Sequence, residues 1–365
     1  MIRIEYLEKI LALGKRIFQI TLYTTFFFTG VLLLISVFAS FFNPAVFPFL
    51  SVIALFFPLL WVVNVLFLFL FLIKRSRWSV LSLILLLSGV YQVLLVYNIS
   101  SSNDTEGSSG KINIVSFNTG NADTINPLAS RKAAFDNELF LKSDIICLQE
   151  FTPANEKGIA VLERFNYKIN VDFYGNIGGD SSGLSVYSNY EIIDVGWLKQ
   201  DLEDTYALWC DLNIDEDTIK LINIQLQSIR LEDNELESMT SFKEIVHLPG
   251  HLSSIYAKLK RGFLWREEQV TQLTNLIKAS EYPVILCGDF NDPPASFAYR
   301  EISSLLNDAF LEKGKGFGFT YAGGLPFLRI DYFMVDDRLN VSAYHKMQAT
   351  HSDHYPIEVE VERME

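Results

Sequence analysis

The sequence predicts an α/β domain preceded by three transmembrane helices, and two observations carry that expectation. In the first hundred of 365 residues, three long stretches contain no Asp, Glu, Lys or Arg. After Lys111 the rhythm changes to short apolar runs separated by turn residues and helical segments, as in an α/β fold. The boundary falls in residues 100–110, SSSNDTEGSSG, which have the composition of a flexible linker. Residues 1–99 are thus the expected anchor and 111–365 the expected α/β domain.

The opening MIRIEYLEKILALGKR sets Ile and Leu at helical spacing among charges, the pattern of an interfacial helix or of a basic lead-in to the first apolar stretch. The stretches at about 17–42, 49–73 and 78–97 are each long enough to cross roughly 30 Å of hydrocarbon. None has the single short apolar core and small-residue cleavage site of a signal peptide. Lys9, Lys15 and Arg16 precede the first stretch, Lys74, Arg75 and Arg77 connect the second to the third, and the first connection, FNPAVFPF, is uncharged. The positive-inside bias puts the N-terminus in the cytoplasm, and three spans then put everything after Tyr97 on the other side. Asn64 and Gln92 are isolated polar residues in these stretches, which reads as an anchor rather than a transport path. Pro58 offers a kink in the second.

Residues 111–365 hold 23 Lys/Arg against 39 Asp/Glu, a formal charge of −16. So acidic a domain lacks the footprint of non-specific phosphate-backbone binding, although a local basic groove escapes such a count. Cys147, Cys210 and Cys287 lie in apolar runs and read as small buried hydrophobes, not as a disulfide framework or a zinc site. The strand candidates are KINIVSFN, DIICLQE, GLSVYS, ALWCDLNI, IKLINIQLQ, VILCGDFN, RIDYFMV and YPIEVEVE. In LWREEQVTQLTNLIKAS, Val270, Leu273, Leu276 and Ile277 recur at helical spacing, which predicts an amphipathic helix on the sheet. Between Ser228 and Trp265 lies an insertion in which His247 and His251 flank Pro249-Gly250. That pair argues against a helix presenting two zinc ligands, and a substrate-specific loop or lid is expected.

The chemistry gathers at strand ends. VILCGDFND is an apolar run that stops abruptly at Gly288, Asp289 and Asn291; on an extended backbone the last two point the same way. A strand ending in an Asx-turn would place the same residues, and this stretch alone does not choose. Asn118 ends IVSFN, Glu150 ends IICLQE, Asp331 lies in RIDY, and Asp353 with His354 in SDHYPI. Each has an ordinary reading alone: a turn residue, a helix cap, a partner for Arg329, a surface histidine. Together, hard oxygen ligands delivered to one face suit Mg²⁺ or Mn²⁺, with polar groups spare to hold a phosphoryl oxygen.

The ordered set SFN, LQE, GDFN, IDY and SDH resembles the endonuclease/exonuclease/phosphatase superfamily over about residues 111–361. The resemblance implies a four-layer sandwich, two mixed β-sheets face to face with helices outside, and one open cleft. It implies Glu150 as principal metal ligand, with Asn118 and Asp353 at the metal or its waters. Asp289 would orient or deprotonate the attacking water, and Asn291 would hold a phosphate oxygen. His354 would stabilise charge developing on the phosphoryl group, its tautomer fixed by Asp331. Arg266, Gln269 and Thr320-Tyr321 fit the family pattern as structural residues.

Two positions depart from it. Many relatives carry His where INIQLQS has Gln225, here taken as a neutral phosphate-binding substitute. Gly120 stands where some nucleases have another acidic ligand, with Asn121 and Asp123 as nearby replacements. The expectation is a membrane-anchored, Mg²⁺-dependent phosphoesterase, with Mn²⁺ as the alternative metal, outside the cytoplasm in a bacterial envelope. Its substrate is a lipid head group, a small phosphorylated metabolite or a nucleic acid, and no obligate protein partner is inferred. The competing reading from another class is a catalytically silent module that binds a phosphorylated ligand or an envelope partner.

Overall fold

The structure is a computed structural model that describes residues 2–99, 110–120, 135, 138–153, 159–200, 204–215, 217–229, 248–323, 327–347 and 352–363. Asn121, Asp123 and His247 lie outside the described residues, as does most of the expected linker. The helical region comprises α1 (Ile2–Phe38), α2 (Pro48–Leu55), α3 (Phe57–Ile73), α4 (Trp78–Ser88) and α5 (Val90–Leu94). The remaining helices are α6 (Glu138–Lys142), α7 (Ala160–Glu163), α8 (Leu248–Lys278), α9 (Phe297–Ser303) and α10 (Ala309–Lys313).

One helical stretch, Lys9–Phe41, is long and apolar enough to cross a membrane. The expectation of three continuous spans needs correcting at the other two. The second is broken at Phe56, where α2 and α3 meet at a bend of 57°, and passes the same test only if the pair is one bent span. Pro58 sits in the first turn of α3, where it has no N–H to extend a helix back into α2. The third is shorter than expected: α4 ends at Ser88, Gly89 interrupts it, and α5 stops at Leu94. Phe26, Leu33, Phe67, Phe71 and Leu85 form the core of this bundle.

The α/β part holds β2 (Ile112–Asn118), β3 (Ile145–Phe151), β4 (Tyr167–Asp172), β5 (Gly183–Ser188), β6 (Glu191–Gln200), β7 (Asp204–Ile214), β8 (Asp217–Gln225), β9 (Val284–Asp289), β12 (Asp331–Val335), β13 (Leu339–Lys346) and β14 (Ile357–Arg363). β1 (Tyr97–Asn98) pairs with β11 (Gly316–Phe317), and β10 is Asn307–Asp308. Two six-stranded mixed sheets result, ordered β10-β12-β9-β8-β7-β6 and β13-β14-β2-β3-β5-β4. Their inner faces meet in a core that includes Ile114, Cys147, Val186, Cys210, Leu221, Cys287, Phe333 and Val359. All three cysteines are buried free thiols there. Outside the first sheet lie Val270, Leu273 and Ile277 of α8 with Tyr299 and Ile302 of α9; outside the second lie Phe140 and Leu162.

This topology sends functional side chains to one edge. β2 runs parallel to β3 and β8 parallel to β9, so the C-terminal ends of all four lie together. β12 and β14 are antiparallel to their neighbours, so they contribute their beginnings: Asp331 pairs in register with Asp289, and Ile357 with Ser116.

The helical region is seated on this domain. Arg329 Nη1 donates to Leu95 O at 2.9 Å, Gly318 N to Val96 O at 2.8 Å, and Asn98 Nδ2 to the carbonyls of Phe310 and Leu311. Arg329 therefore does not pair with Asp331; its guanidinium bonds both oxygens of buried Asp308. Near the start of the bundle's first connection, Asn43 Nδ2 donates to Glu267 Oε1 at 2.8 Å, and Arg300 lies over the Phe41 ring. Nor does Pro249-Gly250 exclude a helix: α8 begins at Leu248, and a proline in the first turn removes no interior hydrogen bond.

Candidate active site

Asp289 is 1% exposed at the end of β9 and is surrounded by donors. Asn291 N reaches its Oδ1 at 2.7 Å, while Asn291 Nδ2 and Asn118 Nδ2 reach Oδ2 at 2.9 and 3.0 Å. The turn that makes this possible is tight. Gly288 has φ 133°, and a Cβ there would fall 2.0 Å from Ile224 O of the neighbouring strand. Asn291 has φ 51°, a left-handed conformation that Asn tolerates better than most residues. The Asx-turn and the functional reading of this stretch are thus both realised, because Asp289 caps its own turn and still lines the cleft.

Glu150 lies within a register shift in the β3–β5 pairing between Leu148 and Phe151, and it too has positive φ, 55°. Such irregularities re-aim a side chain at the end of a strand. Gln225 Nε2 donates to Glu150 Oε1 at 2.6 Å, and Asn118 Nδ2 lies 3.4 Å from the same oxygen. Asn118 therefore bridges carboxylates that belong to different sheets.

His354 Nδ1 lies 3.0 and 2.9 Å from the two oxygens of Asp331, and Nε2 lies 4.0 Å from Asp289 Oδ2. Burial acts to lower the His354 pKa, but Asp331 and Asp289 outweigh it and raise it to about 10. Burial raises Asp289 to about 7, with Asp331 adding to the rise and His354 opposing it. The Tyr321 ring and the imidazole meet edge to face, with centroids 5.1 Å apart.

Several supporting residues carry no motif signal of their own. Thr320 Oγ1 accepts from the N–H groups of Ile330 and Asp331, and Ser352 Oγ donates to Asn118 O while accepting from His354 N. Beneath the site, Gln149 of one sheet donates to Asn223 of the other at 2.7 Å. Both are polar residues inside apolar runs, which is the signal that locates them. Arg266 and Gln269 brace the neighbouring segment: Arg266 bonds Asp292 and Gln227 O, and Gln269 Oε1 accepts from Gln227 N.

Glu150, Gln225, Asp289, Asn291, Asp353 and His354 line one cavity of about 860 Å³. Asp289, Asp331 and His354 have potential ligand atoms within 4.8 Å of one another. Glu150 and Asp353 add carboxylates to the same cavity, and among the described residues no lysine or arginine pairs with either. Gly120 leaves space for Asp353, since a Cβ would fall 2.5 Å from its Oδ1. An acidic, oxygen-rich donor set of this kind fits a hard divalent cation.

A family model described as "Endonuclease/Exonuclease/phosphatase family" matches residues 115–354, and a second, "Domain of unknown function (DUF8431)", matches residues 16–95. Among curated proteins none matches. An endonuclease/exonuclease/phosphatase from Bacteroides vulgatus is similar at 18% identity and TM-score 0.51, over 70% of this chain and all of that one. A humanised TDP2 from D. rerio is similar at 15% identity and TM-score 0.50, over 69% and 99%. At these identities the likeness speaks for the fold.

Proposed function

The chain belongs to the endonuclease/exonuclease/phosphatase family and has its phosphoesterase hydrolase fold, and on that premise we propose a membrane-anchored, Mg²⁺-dependent phosphoesterase. The observation that carries the reading is the convergence of Asn118, Glu150, Asp289, Asp331 and His354 from two sheets onto one cleft edge. Glu150, with Asn118 and Asp353, would hold the cation. The alternative group Asp289, Asp331 and His354 would have to offer Nε2 in its deprotonated form, which the raised His354 pKa opposes, or give up the Asp331 contact to offer Nδ1. When bound, the cation supplies Lewis-acid polarisation of a phosphoryl oxygen.

The protein's own groups divide the remaining work. Asp289, held by three donors and with its pKa raised to about 7, accepts the proton of an attacking water near neutral pH. His354, its Nδ1 engaged by Asp331, directs Nε2–H into the cleft as a cationic donor to the phosphoryl oxygens. Asn291 donates through Nδ2 to Leu226 O as well as to Asp289, so its hold on a phosphate oxygen requires a shift of that amide. Gln225 bonds Glu150, and it reaches phosphate as a second role.

Residues 1–99 are proposed as a multi-pass anchor, 100–110 as the linker and 111–365 as the catalytic domain. Lys74 Nζ lies over the Phe18 ring, so the basic connection sits at the N-terminal end of the bundle, while Phe41 and Asn43 meet the α/β domain at the other end. That arrangement favours a cytoplasmic N-terminus and an extracytoplasmic catalytic domain. The test is the full chain in detergent with Mg²⁺, assayed against bis-p-nitrophenyl phosphate, p-nitrophenyl phosphate, DNA and phospholipid. Turnover of at least one substrate, lowered about 10³-fold by Asp289→Asn and by His354→Ala, is expected. Variants that match the wild type sink the reading.

A further inference from the structure

We infer that α2, α3 and α5 complete the active-site wall and seat the hydrocarbon chain of a phosphate ester borne on a lipid. The inference rests on the phosphoesterase reading and narrows its substrate. One cavity runs from Glu150, Asp289 and His354 to Leu55, Phe57 and Pro58 of the helical region. Its volume of about 860 Å³ lies toward the upper end of the roughly 300–1,000 Å³ usual for small-molecule sites. Carboxylates, amides and an imidazole line one part, while Ala54, Leu55, Phe57, Pro58 and Val96 line the other, with Gln92 as its polar member. An amphiphile matches both, its phosphate at the first and its chain at the second. A small polar metabolite would leave the apolar part unfilled.

The apolar part lies where the bundle is open. Leu55 and Pro58 flank the bend between α2 and α3, and Phe56 and Leu59 beside them are 47% and 60% exposed. On the catalytic side of the bend, Val52 and Leu55 pack against Ile255, Leu259 and Phe263 of α8, and Leu259 also lines the cavity. Just before α2 in the chain, the exposed ring of Phe47 meets the exposed rings of Phe42 and Phe49 edge to face. Phenyl rings exposed in a cluster at the end of an apolar bundle suit the boundary between headgroups and acyl chains.

The opening is also held in place. The carbonyls of Leu95 and Val96 are bonded to Arg329 and Gly318, and Gln92 Nε2 donates to Val37 O at 2.9 Å, tying α5 to the end of α1. Gln92 and Val96 both line the cavity, so these ties fix its wall. The catalytic edge is thereby kept facing the apolar surface of the bundle.

The test compares esters that differ in chain alone: hexadecyl and ethyl 4-nitrophenyl phosphate as diesters, hexadecyl and ethyl phosphate as monoesters. All are assayed with the full chain in the same detergent micelles with Mg²⁺. Leu55→Trp fills the apolar part, and its expected effect is a fall in kcat/KM about tenfold larger for the hexadecyl ester than for the ethyl ester, the size of effect that losing one or two methylenes of burial produces. Equal losses for both esters, in Leu55→Trp and in the milder Leu55→Phe, overturn the inference. So does wild-type turnover of ethyl esters with none of hexadecyl esters. Failure of every one of these esters while p-nitrophenyl phosphate or DNA is turned over also overturns the inference, whereas failure of all of them together removes the phosphoesterase reading itself.

Discussion

The two walls of the cleft are built to different tolerances. On the strand-end wall three carboxylate residues are each held from more than one side: Asp289 by three donors, Asp331 through its own N–H on Thr320 Oγ1 and its carboxylate on His354, Glu150 by two amides. The helical wall presents mainly apolar side chains and is attached by apolar packing on α8, a few carbonyls, one guanidinium and the Asn43 amide. The difference reflects what each wall would meet. Proton transfer and charge stabilisation fail when atoms are misplaced by about 1 Å, whereas an apolar surface tolerates sliding of whatever it contacts. Rigid chemistry on one side thus needs a sound joint, rather than a rigid partner, on the other.

Arg329 is that joint, and its removal breaks the comparison most severely. Its guanidinium is fully buried, bonded to both oxygens of Asp308 and to Leu95 O. Arg329→Ala leaves Asp308 buried without its cation, which destabilises by about 3–5 kcal/mol. Denaturant unfolding of the full chain measures the loss, and hydrogen exchange at Leu95–Asn98 is expected to rise more than exchange in β9. Equal acceleration in both places would mean that the two walls are one cooperative unit.

Asp331→Asn acts within the strand-end wall. Without the carboxylate, the raised His354 pKa falls from about 10 toward its ordinary value, because Asp331 is the leading group that raises it. A group whose pKa is raised on folding contributes stability that is present below the unfolded value and lost as pH rises through the folded one. The variant is therefore less stable than the wild type at and below neutral pH, and the deficit closes toward pH 10. Turnover should fall roughly 10²-fold at neutral pH, with its alkaline limit moving to lower pH. NMR titration of the imidazole in chelator, alongside the pH–rate profile, reads both effects. An unmoved imidazole titration would show that Asp331 does not control His354.

The strand-end wall was far more legible in the sequence than the helical wall. All the strand candidates form strands, because each is an apolar run flanked by turn residues. The strands without a clear signal, β4, β6 and β13, each lie at the edge of a sheet. An edge strand is solvated along one side, so its run is diluted: EIIDVGWLKQ carries Glu191, Asp194 and Lys199 among its apolar residues. Asp331 and His354 were recognisable as site residues, yet Asp331 stands at the beginning of β12 and His354 just ahead of β14, rather than at strand ends. Strand direction is a property of pairing, which residue type does not record. Leu55 and Pro58 gave no signal as cleft residues, since any apolar residue in such a stretch reads as facing lipid. Their place beside α8 and the catalytic edge is a tertiary contact between segments far apart in the chain.

The smallest expected effect tests whether the start of the bundle's first connection matters as much as Arg329. Asn43 Nδ2 donates to Glu267 Oε1, and its own Oδ1 accepts from Ala45 N, so Asn43 shapes its loop and tethers it to α8 at once. The contact is partly exposed, and water can replace either bond. Asn43→Ala should therefore destabilise the full chain by only about 1 kcal/mol. Asn43→Asp separates the two roles, because it keeps the acceptor for Ala45 N but sets a carboxylate against Glu267. If tethering dominates, Asn43→Asp is the less stable variant near neutral pH and recovers in acid as the carboxylates protonate. If loop shape dominates, Asn43→Asp stays close to the wild type at every pH, and the helical wall is held by Arg329 and by the packing of α2 on α8 without help from this tether.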